Sequence, residues 1–380
     1  MGSYKEVSKG RYRLFVELGY DAEGKRQRKT KTVQATGPRQ AAKLLFEFEN
    51  EIMDSLHLED ENPTFADFVG RWKSNYADTE LSASTREKYE QVLKFVLPYF
   101  KSKRMKDITT FHIVQYFTKE RKAGNGSLEK KYNLLQSLFK FAVQWKIIDE
   151  KTNPMDGVDR PKSHKKRVDF YNKEEISLLF KLIRELLTHQ KLIVKLAVTA
   201  GLRRGEILAI TEDVIDFSSN KIHIKRSLQY TKQEGLKLKS TKTEDERTVT
   251  IPETVMKEMH AYYIKKLSLR MEMANQWKGF KDIEGKKVTL LFSDEYGIPF
   301  RPDSVTQFWN RFMIRHPEIK RIRFHDLRHS SASLILSEGV NMKVVQARLG
   351  HKNIKTTLNT YSHVTEKDDR KASDVFDSLL

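Results

Sequence analysis

The sequence predicts a multidomain protein, mainly α with small β-sheets: an N-terminal α+β module, an all-α domain and a larger α+β domain. Three observations lead there. A chain of 380 residues is long enough for two or three separate cores. Residues 4–33 alternate apolar and polar side chains with the period of a strand, and from Pro38 the apolar period becomes that of a helix. A stretch of Pro, Gly and basic residues at 151–168, KTNPMDGVDRPKSHKKRV, has no apolar period and parts the helical middle from a second mixed region.

Within 4–33, Tyr12, Leu14, Val16 and Leu18 fall on one face, and Asp21-Ala22-Glu23-Gly24 supplies a turn into KRQRKTKTV, making a basic hairpin. Ala41, Leu44, Leu45, Phe48 and Ile52 then line one side of a helix that covers the small sheet, closing a module of residues 1–60. Lys25, Arg26, Arg28, Lys29 and Lys31 are candidate contacts to a polyanion; a charged edge strand that only blocks strand-to-strand association is the plainer alternative. After LEDENP, the Thr64 hydroxyl caps a helix containing Phe65, Phe68, Val69 and Trp72. Further helices read at 84–100, with the capping pattern Ser84-x-x-Glu87 and the stripe Tyr89, Val92, Leu93 and Val96, at about 110–122, and at 128–146, with Leu134, Leu138, Phe141 and Trp145. They form a four-helix domain at 63–150 whose aromatic side chains are core. Residues 151–169 are a basic linker, in which Lys165, Lys166 and Arg167 are placed to cross a phosphate backbone. From 170 to 380 long helices mix with short strands around KIHIKRSLQY and RTVTIP, and this part is expected to hold the chemistry.

Lys and Arg number 70 against 51 Asp and Glu, a formal charge of +19 spread along the chain rather than gathered in a tail. A long polyanion is the natural partner, so nucleic acid ranks above a membrane surface. No stretch approaches the roughly 20 apolar residues that span a bilayer, and MGSYKEVSKGRYR lacks the apolar core of a signal peptide, so a soluble cytoplasmic protein is expected. With no cysteine there are no disulfides, thiolate nucleophiles or thiolate metal sites.

The chemistry is concentrated in a few stretches after residue 170. TAGLRRGEILAI puts Arg203 and Glu206 three apart at a helix start, where the carboxylate can orient the arginine; taken alone this is an ordinary surface ion pair. LKLKSTKTEDERTVTIP, residues 236–252, reads as a hairpin on which Lys237, Lys239 and Lys242 cluster before the strand TVTIP. A lysine at such a tip can swing into a groove, although most lysines are simply solvated. FHDLRHSSASLILSEG sets His325 and Arg328 one helical turn apart. His325 and His329 also have the i, i+4 spacing of a metal pair that His351 can complete, but no glutamate follows His325 as in a zincin motif and Arg328 repels a divalent cation, so no metal site is assigned. In LGHKNIKTTLNTYSH, His351 follows a glycine turn and Tyr361 comes a few turns later.

Two arginines, a lysine, two histidines and a tyrosine suit phosphoryl transfer. Arginines neutralise the nonbridging oxygens of a phosphate, histidines donate hydrogen bonds or move a proton, lysine protonates a leaving alkoxide, and tyrosine attacks. A free phenol has a pKa of about 10, so attack near neutrality needs a base or cationic surroundings, and the set offers both.

TAGLRRGE, STKT, HDLRH and LGH followed by TYSH resemble the active-site boxes of the tyrosine recombinase (phage integrase) family, in order and at fitting separations. The resemblance spans the chain: the N-terminal module is similar to the arm-type DNA-binding domain of integrases from conjugative transposons and Gram-positive prophages, and the helical middle to their SAM-like core-binding domain. It implies a tyrosine recombinase catalytic domain at 170–380 and a site-specific recombinase that integrates and excises a mobile element. On that footing Tyr361 is the nucleophile, forming a 3′-phosphotyrosyl bond and freeing a 5′-hydroxyl. Arg203 and Arg328 clamp the phosphate, His325 and His351 support it, Lys242 is the general acid, and Glu206 braces Arg203. No cofactor or metal is implied, because the protein–DNA ester keeps the bond energy needed for resealing.

The partners implied are double-stranded DNA at core and arm sites, further copies of the chain in a homotetramer on DNA, an excisionase and a host DNA-bending protein, in a bacterial cytoplasm at the nucleoid. The tail after Tyr361 puts Val375, Phe376 and Leu379 on one face of a short helix, expected to dock either back on its own domain or, the sharper reading, in a groove of a neighbouring copy. Two alternatives share the fold: a type IB topoisomerase-like relaxing enzyme, which needs no arm-binding module, and a noncatalytic DNA-binding regulator.

Overall fold

The computed structural model describes residues 2–8, 10–20, 26–161, 169–240, 246–282 and 285–350. The chain divides into two compact units, residues 1–164 and 165–380.

The first unit begins with an antiparallel sheet of β1 (Gly2–Ser8), β2 (Arg11–Tyr20) and β3 (Arg26–Gln34), in the order β1-β2-β3, followed by α1 (Pro38–Glu61). Tyr12, Leu14 and Val16 alternate onto the buried face of β2 and meet Ala41 and Leu45 of α1, as the two apolar periods require. The expected hairpin is therefore a three-stranded sheet. Most of β1 is exposed, so it lacks the alternation that marks a half-buried strand, and Gly10, at φ +80°, turns it into β2. The expected turn at 21–24 lies outside the described residues.

The helical part of this unit contains α2 (Phe65–Trp72), which runs through a π-turn at Lys73–Ala77 into α3 (Asp78–Glu80), then α4 (Ala83–Phe100), α5 (Thr110–Lys122) and α6 (Leu128–Gln144). The Thr64 hydroxyl accepts from the Asp67 N–H at 3.2 Å, the cap that its position before an apolar stripe predicts. The expected cap at Ser84 is displaced: Ser82, with extended backbone, occupies the cap position, and Ser84 sits in the first turn. Phe65, Phe68, Trp72, Phe100, Tyr116 and Phe139 are all fully buried, each phenylalanine contributing about 1.5–3 kcal/mol on burial. Leu135, Phe139 and Ala142 share the interior of α6 with Leu134 and Leu138, whereas Phe141 and Trp145 pack at its margin. The start of the expected linker is ordered onto these helices: Met155 is buried among them, and Arg160 Nη2 donates to Glu129 Oε1 at 2.8 Å.

The second unit comprises α7 (Lys173–Leu182), α8 (Thr188–Thr199), α9 (Arg204–Leu208), β4 (Ile215–Asp216), β5 (Lys221–Ile224), β6 (Arg226–Thr231), β7 (Gly235–Ser240), β8 (Arg247–Thr250), α10 (Glu253–Met273), β9 (Phe280–Lys281), β10 (Lys287–Val288), α11 (Pro302–Arg315), α12 (Asp326–Ser337) and α13 (Met342–Leu349). The expected hairpin of 236–252 pairs differently. β7 folds back on β6, with Leu228 opposite Leu238, while β8 joins β5, with Ile222 opposite Val249, in the sheet β4-β5-β8. Apolar side chains are thereby matched across each pair, and Gly235 at φ +68° closes the β6–β7 turn. Leu192, Phe292, Trp309 and Phe312 lie in the core, and the Trp309 indole N–H donates to the Ile322 carbonyl at 2.8 Å. Among the described residues no helix is long and apolar enough to cross a membrane.

Candidate active site

Helix α8 ends at Thr199, and Gly201 then turns the chain at φ +63°. A Cβ at Gly201 would lie 2.6 Å from Leu349 Cδ2, so the backbone here closely approaches the end of α13. Arg203 takes the cap position of α9 with extended backbone, and Glu206 folds back on it. The carboxylate accepts from Arg203 Nη1 at 2.7 Å and from the Arg203 backbone N–H at 2.9 Å. The pair is not the surface ion pair that the spacing alone allows, because the Glu206 side chain is 1% exposed. It is also shared: Arg247, at the start of β8, donates through Nη2 to Glu206 Oε2 at 2.6 Å and through Nη1 to Oε1 at 3.2 Å. Burial pushes the Glu206 carboxyl up, but the hydrogen bond and charge of Arg247, with the charge and N–H of Arg203, outweigh it and hold it below the usual carboxylate range.

Arg328 on α12 is buried, with Nη1 on the Gly201 carbonyl at 2.6 Å and Nη2 on the Leu349 carbonyl. Asp326, one residue into α12, is buried and takes the Arg323 guanidinium through Nε at 2.9 Å and Nη2 at 2.8 Å, which fixes the approach to the helix. His325 precedes α12, its ring centroid 5.3 Å from that of His329 and perpendicular to it. Burial, then the neighbouring His329 and Arg328, push His325 down to about 4, against a smaller upward pull from Asp326. Part of the His325 ring stays in solvent, which screens these interactions. His325 is thus a neutral imidazole near pH 7. An NMR titration is expected to place its midpoint below the usual value of about 6.5. The stability it contributes is then complete above pH 6.5 or so and declines as the pH falls toward the folded-state midpoint. A midpoint at or above that of a free histidine would contradict this.

These arginines converge on one structural element. Helix α13 ends at Leu349 with Gly350 in the left-handed region, φ +66°, leaving its last carbonyls without helical partners. The Arg348 carbonyl accepts from Arg247 Nε at 3.0 Å, the Leu349 carbonyl from Arg328 Nη2, and the Gly350 carbonyl from Arg203 Nη2 at 3.2 Å. Three successive carbonyls at the negative end of a helix each hold a different arginine. Arg348 anchors the helix in turn, donating through Nη2 to the Thr199 carbonyl at 2.8 Å and the Thr250 carbonyl at 2.9 Å.

The structure thus brings together Arg203, Glu206, His325 and Arg328. Lys242, His351 and Tyr361 lie outside the described residues, as do Lys25, Lys165, Lys166, Arg167 and the apolar tail at Val375, Phe376 and Leu379. Lys237 and Lys239 on β7 are both paired with Glu234, at 3.0 and 3.5 Å. In the N-terminal module Arg26, Arg28, Lys29 and Lys31 fall on the edge strand β3, where Lys29 and Lys31 stand opposite Val16 and Leu14 and Arg28 opposite Glu17. Lys31 is tied to Glu51 of α1 at 2.8 Å, and Arg28 lies over the Phe15 ring, so the basic run is divided between the two faces of the sheet. Among the described residues no group of three or more His, Asp or Glu side chains is arranged to hold a metal ion. Arg247 escaped the sequence reading, although the alternation of RTVT places it on the same face as the buried Val249.

With this geometry in view, residues 169–368 match the profile described as Phage integrase family, and residues 64–120 match Phage integrase, N-terminal SAM-like domain. The ICEBs1 integrase of Bacillus subtilis (strain 168) is 24% identical, the match covering 100% of both chains. A XerC-like tyrosine recombinase of Caldanaerobacter subterraneus subsp. tengcongensis is 25% identical over 100% of this chain and 98% of its own. Among solved structures, the Tn1549 transposon integrase in complex with a circular intermediate DNA superposes with a TM-score of 0.69 at 17% identity, covering 82% of this chain and 99% of that one. A lambda integrase dimer bound to a COC′ core site gives 0.57 at 16% identity, covering 94% and 93%. The family profile spans more than half of the chain, which belongs to the phage integrase family, the tyrosine recombinases.

Proposed function

We propose that the protein is a site-specific DNA recombinase, an integrase that cuts and rejoins duplex DNA through a 3′-phosphotyrosyl intermediate and so integrates and excises a mobile element. The observation that carries this reading is the convergence of Arg203 and Arg328, far apart in sequence, on the adjacent carbonyls of Gly350 and Leu349, directly ahead of His351. Two guanidinium groups fixed on one helix end form a site for a phosphodiester, where they offset the charge that builds on its nonbridging oxygens. Tyr361 attacks the phosphorus, Lys242 protonates the departing 5′-oxygen, and His325 and His351 donate hydrogen bonds to the phosphate. His325, neutral near pH 7, can donate from one ring nitrogen without adding charge. The reaction conserves the ester bond, so the 5′-hydroxyl of another strand reseals it with no cofactor and no metal.

The same reading gives residues 1–60 to arm sites, 63–150 to the core site, 151–169 to a connecting segment and 170–380 to catalysis. The protein works as a homotetramer on DNA, with an excisionase and a host DNA-bending protein as partners, in the bacterial cytoplasm at the nucleoid. Support comes from the relatives: a lambda integrase tetramer bound to a Holliday junction superposes with a TM-score of 0.57, and the Tn1549 transposon integrase is in complex with a circular intermediate DNA.

A nicked suicide duplex carrying the attachment junction, read from the DNA that flanks the gene, tests the chemistry. The protein is expected to form an adduct that survives detergent, equally in the presence of a chelator; absence of the adduct, or its loss on chelation, overturns the reading. The N-terminal assignment has its own test. A truncation starting at Asn62 is expected to keep cleavage at the core site, lose recombination that depends on arm sites, and bind full sites with a shallower salt dependence, because fewer phosphates are neutralised. Recombination at the full-length rate by the truncated protein would make the module dispensable.

A further inference from the structure

We infer that Arg247 is a positioning residue for the cleavage reaction, holding Glu206, and through it Arg203, in register with the end of α13. The inference rests on the recombinase reading and adds to it a residue that the active-site boxes do not contain. Its side chain is 9% exposed, and the nitrogens at its three positions are all engaged: Nη1 and Nη2 on Glu206, and Nε on the Arg348 carbonyl. Three of its five N–H donors are thus committed within the protein, two of them to the carboxylate that orients Arg203, and a guanidinium so placed acts through its neighbours.

Three further observations fit that role. First, Glu206 has two oxygens and two arginines, and each arginine reaches α13 on its other side, Arg247 at the Arg348 carbonyl and Arg203 at the Gly350 carbonyl. The result is a closed ring of contacts: Glu206 to Arg203 to Gly350, along the main chain to Arg348, then to Arg247 and back to Glu206. Second, Arg247 begins β8, fixed by pairing with Ile224 of β5, so the ring is anchored in a sheet rather than in a loop. Third, Gly350 lies against it. A Cβ at that position would come within 2.9 Å of Arg247 Nη1 and 3.1 Å of its Cδ and Cζ, so the space left by the glycine is filled by this arginine.

The chemical consequence concerns the charge on Glu206. With Arg247 present, the carboxylate stays ionised despite its burial and can orient Arg203 at any working pH. Without Arg247, burial is opposed by Arg203 alone. The carboxyl then takes up a proton at a higher pH, and Arg203 loses its brace when it does.

The test uses the full-length protein and the same nicked suicide duplex, with single-turnover adduct formation followed across pH 5 to 9. Arg247→Met is expected to slow cleavage on the order of 10- to 100-fold near pH 7, while affinity for the duplex changes by less than about threefold. Its rate should rise with pH along a limb that is absent from the wild type and disappears in Glu206→Gln/Arg247→Met. Arg247→Lys, which restores the charge but not the fork, is expected to remove most of that limb and recover only part of the rate. If Arg247→Met does not fold, Arg247→Lys decides, and a wild-type rate and pH profile in that variant overturns the inference. Equal losses at every pH, matched by the loss in binding, also overturn it, since they describe general destabilisation. A wild type that forms no adduct removes the recombinase reading and this inference together; once wild-type cleavage is in hand, the Arg247 variants alone decide.

Discussion

Tyr361→Phe is expected to abolish the covalent protein–DNA adduct, with a fall on the order of 10⁴-fold or more, while affinity for the attachment junction stays within about threefold of wild type. The substitution removes one oxygen and leaves the ring. Binding of a long polyanion by a chain with a formal charge of +19 is spread over many lysines and arginines and does not hang on one phenol. Attack does, because no cysteine is present to substitute and the other hydroxyls of the tail are alcohols with much higher pKa values. In the proposed mechanism the arginines explain why a phenol can serve as nucleophile. Arg203 and Arg328, held on the Gly350 and Leu349 carbonyls, would supply positive charge that favours the phenolate form and then the pentacoordinate phosphorus. The measurement is a denaturing gel of the nicked-duplex reaction beside a binding titration of the intact duplex. A detergent-stable adduct in the Phe variant would assign the nucleophile elsewhere.

The second large effect is expected at Glu206. Glu206→Gln keeps the shape of the side chain but leaves Arg203 and the almost fully buried Arg247 without a counter-charge, at a cost of about 3–5 kcal/mol in stability. Cleavage is expected to fall by roughly 10²- to 10³-fold, because Arg203 loses the partner that sets its angle to the phosphate. The pH dependence supplies a control. The folded-state pKa of Glu206 is depressed, so its contribution to stability is present above the unfolded-state value of about 4.3 and is lost as the pH falls through the folded one. Urea midpoints of wild type and variant should therefore be far apart at pH 7 and draw together as the solution is acidified. A gap of constant size from pH 7 to pH 3 would mean that the ionised carboxylate is not what the variant lost.

Local chemistry was legible in the sequence and long-range pairing was not. The Thr64 cap and the stripes of α2, α4 and α6 follow from spacing, since helix contacts are made within a few residues. The start of α4 is not legible in this way because three hydroxyls within four residues, Ser82, Ser84 and Thr85, offer three candidate caps, and the extended backbone of Ser82 makes the choice. The strand run KIHIKRSLQY reads as a single segment, yet Ile222 and Leu228 pair with different partners, Val249 and Leu238. Nothing within the run says so, because the register of a sheet is set by where its partner returns. At the candidate site the same division holds. Arg203 with Glu206, and His325 with Arg328, announce themselves by helical spacing. Arg247 does not, because its contacts are to Glu206, to an Arg348 carbonyl and to the vacant side of Gly350, none of them nearby in sequence.

The acceptors at the end of α13 are main-chain atoms, and that has an evolutionary consequence. A carbonyl oxygen is supplied by every amino acid, so the seats of Arg247 and Arg328 depend on where the helix ends and not on the side chains at 348 and 349. Those side chains are held by separate demands: Arg348 ties the helix to the Thr199 and Thr250 carbonyls, and Leu349 is buried beside Gly201. Gly350 answers to the cradle directly, through its positive φ and the arginine beside it. In descendants of such a chain, selection for the cradle is thus recorded at this glycine and at the distant arginines, while selection at 348 and 349 records the seating of the helix itself.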